Sequence, residues 1–114
     1  MRRLILLSAL LVACSDGDPK ETADTGLCAD APVVTYANFG EGFMTENCQP
    51  CHASTTLDRN GAPEDVSFDT LDDVLGHADR ILARSAGDDA QMPPSGGVSA
   101  DDRYLLSLWL TCWE

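Results

Sequence analysis

Five consecutive residues, Cys48-Gln49-Pro50-Cys51-His52, place two thiols and an imidazole close together along the chain. Two cysteines three residues apart on a helical turn project their sulfurs to one side, where they can add to the two vinyl groups at one edge of a porphyrin. The histidine that follows can then place a ring nitrogen on the iron. The pattern predicts one covalently attached haem c per chain, with His52 as the proximal ligand.

The same residues allow two other interpretations. A thioredoxin-like dithiol would follow a strand in a βαβ unit, whereas the segment before Cys48 has helical periodicity. A structural zinc site would need further ligands, for which the scattered Cys28, Cys112 and His77 are the candidates. The spacing of the motif favours haem attachment over both.

Met92 is the candidate for the iron ligand opposite His52. It lies in the loop Gln91-Met92-Pro93-Pro94, where the two prolines restrict the backbone and can hold the thioether in place. Met44 precedes the haem motif on the same helix and is expected to pack in the core. His77 is a second candidate for the distal ligand, but it falls at the polar edge of the second helix and is therefore expected to be a solvated surface side chain. Ligation by histidine and methionine raises the reduction potential and leaves no open coordination position.

The N-terminus is typical of an exported lipoprotein. Arg2 and Arg3 precede an apolar run over residues 4–12 that is too short to remain in a bilayer. The small residues before Cys14 resemble a bacterial lipobox, which makes Cys14 the lipid anchor; the alternative is a soluble secreted protein. Ser15 follows the anchor, where a signal for retention in the inner membrane would usually have Asp. This resembles the pattern of lipoproteins that are sorted to the outer membrane.

The remaining cysteines are explained by their number. The chain has five, so once Cys14 carries lipid and Cys48 and Cys51 carry haem, Cys28 and Cys112 remain. In an oxidising compartment these two are expected to form a disulfide between the entry to the first helix and the end of the last. The alternative is a pair of unpaired, buried thiols.

We divide the chain into a signal peptide (1–13), a flexible acidic tether (14–27) and one globular domain (28–114). The sequence has 19 acidic and 7 basic residues, with a net charge of −12. A surface this acidic repels phosphate backbones, so nucleic acid is not an expected partner. A redox protein with a basic docking surface fits better.

Three segments of the domain have helical periodicity, and none alternates as a strand would. The first covers about residues 35–50. The second contains the apolar series from Leu71 to Leu82, with Gly87 just beyond its end. The third begins at Ser99 as N-cap and carries Leu105 to Trp113. The sequence therefore predicts an all-α domain with three main helices.

From about residue 36 to 113 the chain resembles the small bacterial class I cytochromes c. Gly40 and Met44 precede the haem motif where that family has a glycine and an aromatic, and Met92 with its prolines leads into a terminal helix containing Leu105 and Trp109. The resemblance implies a cytochrome c-like fold around one haem, with Met92 as the distal ligand. It also implies that the first and last helices cross where Gly40 allows close approach to Leu105 and Trp109.

The family has a further feature on the proximal side, where the second nitrogen of the histidine donates to a proline carbonyl. Pro63 is the proline available for this role. The chain departs from the family in three ways: Met44 replaces the aromatic, the loop from Ala53 to Phe68 lacks the usual glycine-proline step, and the pair Cys28 and Cys112 is not general in the family.

These features predict a non-enzymatic electron carrier. It would pass single electrons between a donor and an acceptor protein in the bacterial cell envelope, held at the membrane by lipid on Cys14, with no small-molecule substrate. The main alternative is a haem enzyme or gas sensor, peroxidase-like, in which Met92 leaves the iron. A third possibility is a structural or zinc-binding lipoprotein without haem.

Overall fold

The computed structural model describes residues 26–113, and this part of the chain is helical and contains no strand. The predicted signal peptide (1–13), the lipid site Cys14 and the tether up to residue 25 lie outside the described residues. No helix in the described range is long and apolar enough to cross a membrane. The predicted all-α class is therefore confirmed for residues 26–113.

The first predicted helix is present in three parts. A π-helical turn, Tyr36–Gly40, leads into α1, Glu41–Asn47, and the short α2, Gln49–His52, follows. The interruption falls at Cys48, where φ is −117°. Pro50 lies in the first turn of α2, where its missing N–H removes no helical hydrogen bond.

The second predicted helix is divided into α3, Leu71–Gly76, and α4, Ala78–Ser85. Thr70 begins α3 with a capping box: its hydroxyl accepts from the Asp73 N–H at 3.2 Å, and the Asp73 carboxylate accepts from the Thr70 N–H at 2.9 Å. The chain leaves helical geometry at His77, where φ is −118° and ψ is 11°. The apolar series is continuous across this break, so the periodicity did not reveal it.

The third predicted helix begins at the predicted residue. The Ser99 hydroxyl caps α5, Ala100–Leu108, by accepting from the Asp102 N–H at 3.0 Å. A π-helical turn, Trp109–Trp113, continues α5. The N-cap predicted at Ser99 is confirmed.

The core combines side chains from all three helical segments and from the loop before α3. Met44, Leu106, Leu108 and Trp109 are completely buried. The core placement predicted for Met44 is therefore confirmed. The buried apolar side chains are Val34, Phe43, Met44, Phe68, Val74, Ile81, Leu106, Leu108, Trp109 and Leu110.

The first and last helical segments meet at Gly40 and Trp109. A Cβ atom on Gly40 would lie 2.5 Å from the indole Cζ2 of Trp109. The rings of Tyr36 and Phe39 flank the same indole, with centroids 6.0 and 6.4 Å away. The close approach expected at Gly40 is present, with Trp109 as the neighbour.

Replacing Gly40 with alanine is expected to lower the free energy of unfolding by about 1–3 kcal/mol, because the added methyl must displace a buried ring. Gly42 in α1 provides the control, since a Cβ there meets nothing within 4 Å. Alanine in a helix is favoured over glycine by about 1 kcal/mol, so Gly42→Ala is expected to be neutral or stabilising. Urea titrations followed by circular dichroism measure both variants, and equal stabilities would contradict this account of the crossing.

Cys28 and Cys112 form a disulfide, with their Cα atoms 5.5 Å apart and a separation of 84 positions along the chain. The bond joins the segment before the first helix to the final π-helical turn. The pairing expected from the cysteine count is the one in the structure.

Candidate cofactor site

A cavity of about 290 Å³ lies between α2, α4 and the loops that follow each of them. Cys48, Cys51, His52 and Met92 all line it. Its volume is just below the roughly 300–1,000 Å³ typical of small-molecule and cofactor sites. The structure thus brings together the four residues that the sequence singled out, from two segments far apart in the chain.

The His52 ring is oriented by a main-chain carbonyl. Its Nδ1 lies 2.9 Å from the Val66 oxygen. A carbonyl oxygen can only accept, so Nδ1 carries the proton and Nε2 keeps its lone pair for a metal. The expectation that Pro63 would provide this carbonyl is wrong. The Pro63 oxygen instead accepts from Arg59 Nη2 at 2.8 Å and from the Val66 N–H at 3.1 Å.

Phe68 holds the other side of the His52 imidazole. The two rings stack with centroids 4.9 Å apart and planes 29° apart. The Phe68 backbone is fixed to α2, because its N–H donates to the His52 carbonyl at 2.7 Å and its carbonyl accepts from the Gln49 side chain at 2.9 Å. The ring of His52 is therefore held by both a hydrogen bond and an aromatic neighbour.

The two motif thiols are free, in contrast to the bonded pair elsewhere in the described chain. Burial raises the pKa of the Cys48 thiol from 9.0 to about 12. Reactive dithiols have lowered thiol pKa values, since the thiolate is the nucleophile and the metal ligand. The raised pKa of Cys48 disfavours the thioredoxin-like interpretation, in which a thiolate attacks.

Met92 is half-buried, and its loop is fixed to the end of α4. The N–H groups of Gln91 and Met92 both donate to the Arg84 carbonyl at 2.8 Å. From α5, Arg103 Nη1 donates to the carbonyls of Met92 at 3.0 Å and Ser85 at 2.6 Å. These bonds give Met92 a defined place at the cavity wall, whereas Met44 does not line the cavity.

The basic residues of the described chain gather at this cavity. Residues 26–113 contain four, Arg59, Arg80, Arg84 and Arg103. Three of them line the cavity, and Arg103 binds carbonyls of two lining residues. No acidic side chain is among the residues that line it. In an acidic protein this produces a local positive potential, which suits an anionic ligand.

His77 is not the solvated side chain that the sequence predicted. It is half-buried and lines the cavity. Its Nδ1 lies 2.9 Å from the Asp73 carbonyl, and its ring meets the Phe68 ring edge-on with centroids 5.5 Å apart. The prediction failed because the helix breaks at His77, so its position on an ideal helix does not apply.

No protein-family model, curated protein or solved structure matches the chain.

The contacts of the described residues give the zinc interpretation little support. Among residues 26–113 no three or more His, Cys, Asp or Glu side chains form a group that could hold a metal ion. Cys28 and Cys112, which a zinc site would need, are bonded to each other.

Proposed function

We propose that the chain is a mono-haem c-type cytochrome with a cytochrome c-like fold, which carries single electrons between redox proteins in the bacterial cell envelope. The observation that supports this most directly is that Cys48, Cys51, His52 and Met92 line one cavity. Two free thiols, an oriented imidazole and a thioether around one cavity match the groups that attach and ligate haem c.

The donor set suits haem c. Cys48 and Cys51 would attach the haem through two thioether bonds, and His52 Nε2 and the Met92 sulfur would bind its iron. Arg80, which lines the cavity, would be available to pair with a porphyrin carboxylate, since guanidinium groups pair well with carboxylates. When bound, haem supplies an iron that changes charge by one electron.

The residues at the cavity would allow the iron to change charge without exchanging its ligands. Donation from His52 Nδ1 to Val66 raises the basicity of the other ring nitrogen and fixes its direction. Phe68 and Ile81, both buried, provide apolar walls that limit water. The main chain of Met92 is held by the Arg84 carbonyl and by the Arg103 side chain. Its thioether would therefore stay in place, which favours electron transfer over the gas-sensor and peroxidase alternatives.

The proposal includes the location. Lipid on Cys14 would anchor the domain to the outer membrane, facing the periplasm, and the acidic chain would suit donors and acceptors with basic docking surfaces. Both parts concern residues or partners that the described range does not contain.

Met92→Leu tests the distal ligand, with Met44→Leu as the matched control. Each protein is expressed with a cytochrome maturation system. The wild type is expected to be low-spin and six-coordinate, with the weak methionine-to-iron absorption band in the far red. Met92→Leu is expected to lose that band and to bind carbon monoxide rapidly when reduced. Met44→Leu is expected to retain the band, because this exchange conserves core volume.

Two outcomes would contradict the proposal. A wild-type protein without porphyrin mass on the peptide spanning residues 48–52 would remove the haem assignment altogether. A high-spin wild type whose spectrum does not change in Met92→Leu would exclude Met92 as a ligand and support the haem enzyme or gas sensor.

A further inference from the structure

The segment between α2 and α3, residues 53–69, has no helix or strand of its own, and Arg59 holds it together. The half-buried guanidinium donates to five oxygens of the segment, four of which are main-chain carbonyls. The distances are 2.6 Å to Ala53 O, 3.2 Å to Ala62 O, 2.8 Å to Pro63 O, 2.9 Å to Val66 O and 3.3 Å to Ser67 Oγ.

One of these acceptors is shared with the haem motif. The Val66 oxygen lies 2.9 Å from Arg59 Nη2 and 2.9 Å from His52 Nδ1. A carbonyl oxygen has two lone pairs and can accept both bonds. The group that orients the histidine is therefore itself held by the arginine.

We propose that Arg59 is the positioning residue for His52: by holding the Val66 carbonyl, it fixes the tautomer and direction of the imidazole. Its second effect, on the reduction potential, rests on the proposed haem function. The first effect depends only on the contacts of the protein chain.

The effect on the potential follows from charge. The five acceptors of Arg59 are uncharged oxygens and do not neutralise it. A positive charge near the iron disfavours the ferric state. The charge of Arg59 therefore raises the reduction potential.

The test compares Arg59→Gln and Arg59→Lys with Arg84→Gln as the matched control. Arg84 also lines the cavity, but its side chain donates to Gln91 and not to the 53–69 segment. Each full-length chain is expressed with a cytochrome maturation system. The exchange of the His52 Nδ1 proton with solvent is measured by nuclear magnetic resonance in the reduced protein, and the potential is measured against a fixed redox partner.

Arg59→Gln is expected to speed the exchange of the His52 proton about tenfold, because the acceptor is no longer held. The equilibrium constant for reduction is expected to fall about tenfold, which is about 59 mV for one electron. Arg59→Lys keeps the charge but not the planar fork, so its potential should fall less while exchange is still faster. Arg84→Gln is expected to leave the exchange rate unchanged.

The outcomes separate this inference from the proposed function. A wild-type exchange rate in Arg59→Gln would overturn the positioning role, and faster exchange without a change in potential would overturn the electronic effect. If Arg59→Gln does not fold by circular dichroism, a wild-type exchange rate in Arg59→Lys would overturn the role instead. If the wild type carries no porphyrin, the proposed function fails, and the same exchange measurement on that chain still decides whether Arg59 holds His52.

Discussion

The double variant Cys48→Ala, Cys51→Ala is expected to carry no covalently bound porphyrin after expression with a cytochrome maturation system. Both thiols line the cavity and neither is used in another bond, so their loss removes both attachment points. A haem stain after denaturing electrophoresis and the intact mass measure the loss. The unfilled cavity would also weaken a domain with a small core, so thermal unfolding is expected at a lower temperature.

The matched control is the double variant Cys28→Ala, Cys112→Ala, which also removes two cysteines but none at the cavity. It is expected to keep the haem stain and the porphyrin mass. A stain that persists in Cys48→Ala, Cys51→Ala, or one lost equally in both double variants, would show that the motif is not the attachment site.

The same control variant is expected to lose about 4.5 kcal/mol of stability, as an upper value, because the disulfide closes a loop of 84 residues in the unfolded chain. Small domains have a total stability of about 5–15 kcal/mol, so the loss is a large share. Guanidinium titrations of the haem-loaded proteins measure it. Wild-type protein treated with a reductant should approach the variant; identical unfolding midpoints for oxidised wild type and variant would show that the bond contributes nothing.

Features that residue type, residue count or helical spacing marks could be predicted from the sequence. The N-cap at Ser99 needs only a hydroxyl and the N–H of Asp102, three residues further on. The burial of Met44 follows from its helical spacing, and the pairing of Cys28 with Cys112 follows from the uses assigned to the other three cysteines. The Cys48–His52 motif and Met92, which the sequence assigned to one site, line the same cavity.

Features that leave no mark in residue type or periodicity could not be predicted. The breaks at Cys48 and His77 leave the apolar pattern intact on both sides, so periodicity alone reads through them. His52 bonds to the Val66 carbonyl and not to that of Pro63, because Arg59 holds the loop in a shape that presents Val66. No local signal in the sequence marks an arginine that bonds to so many carbonyls.

The sequence did not predict that arginines would gather at the cavity, because they come from separate segments of the chain. Arg80 and Arg84 are one turn apart on α4, but Arg59 and Arg103 come from other segments. The usable signal was their scarcity: an acidic chain retains few basic residues, and each of those in the described range contacts the cavity or a carbonyl at its wall.

The ring closed by the disulfide between Cys28 and Cys112 would hold the two parts of a proteolysed chain together. Both irregular loops, residues 53–69 and 86–99, lie inside this ring, as do the haem motif and Met92. A protease that cleaves one bond in either loop would leave two fragments that stay joined through sulfur. The fragments would remain at high effective concentration, so His52 and Met92 could keep their places until the disulfide is reduced.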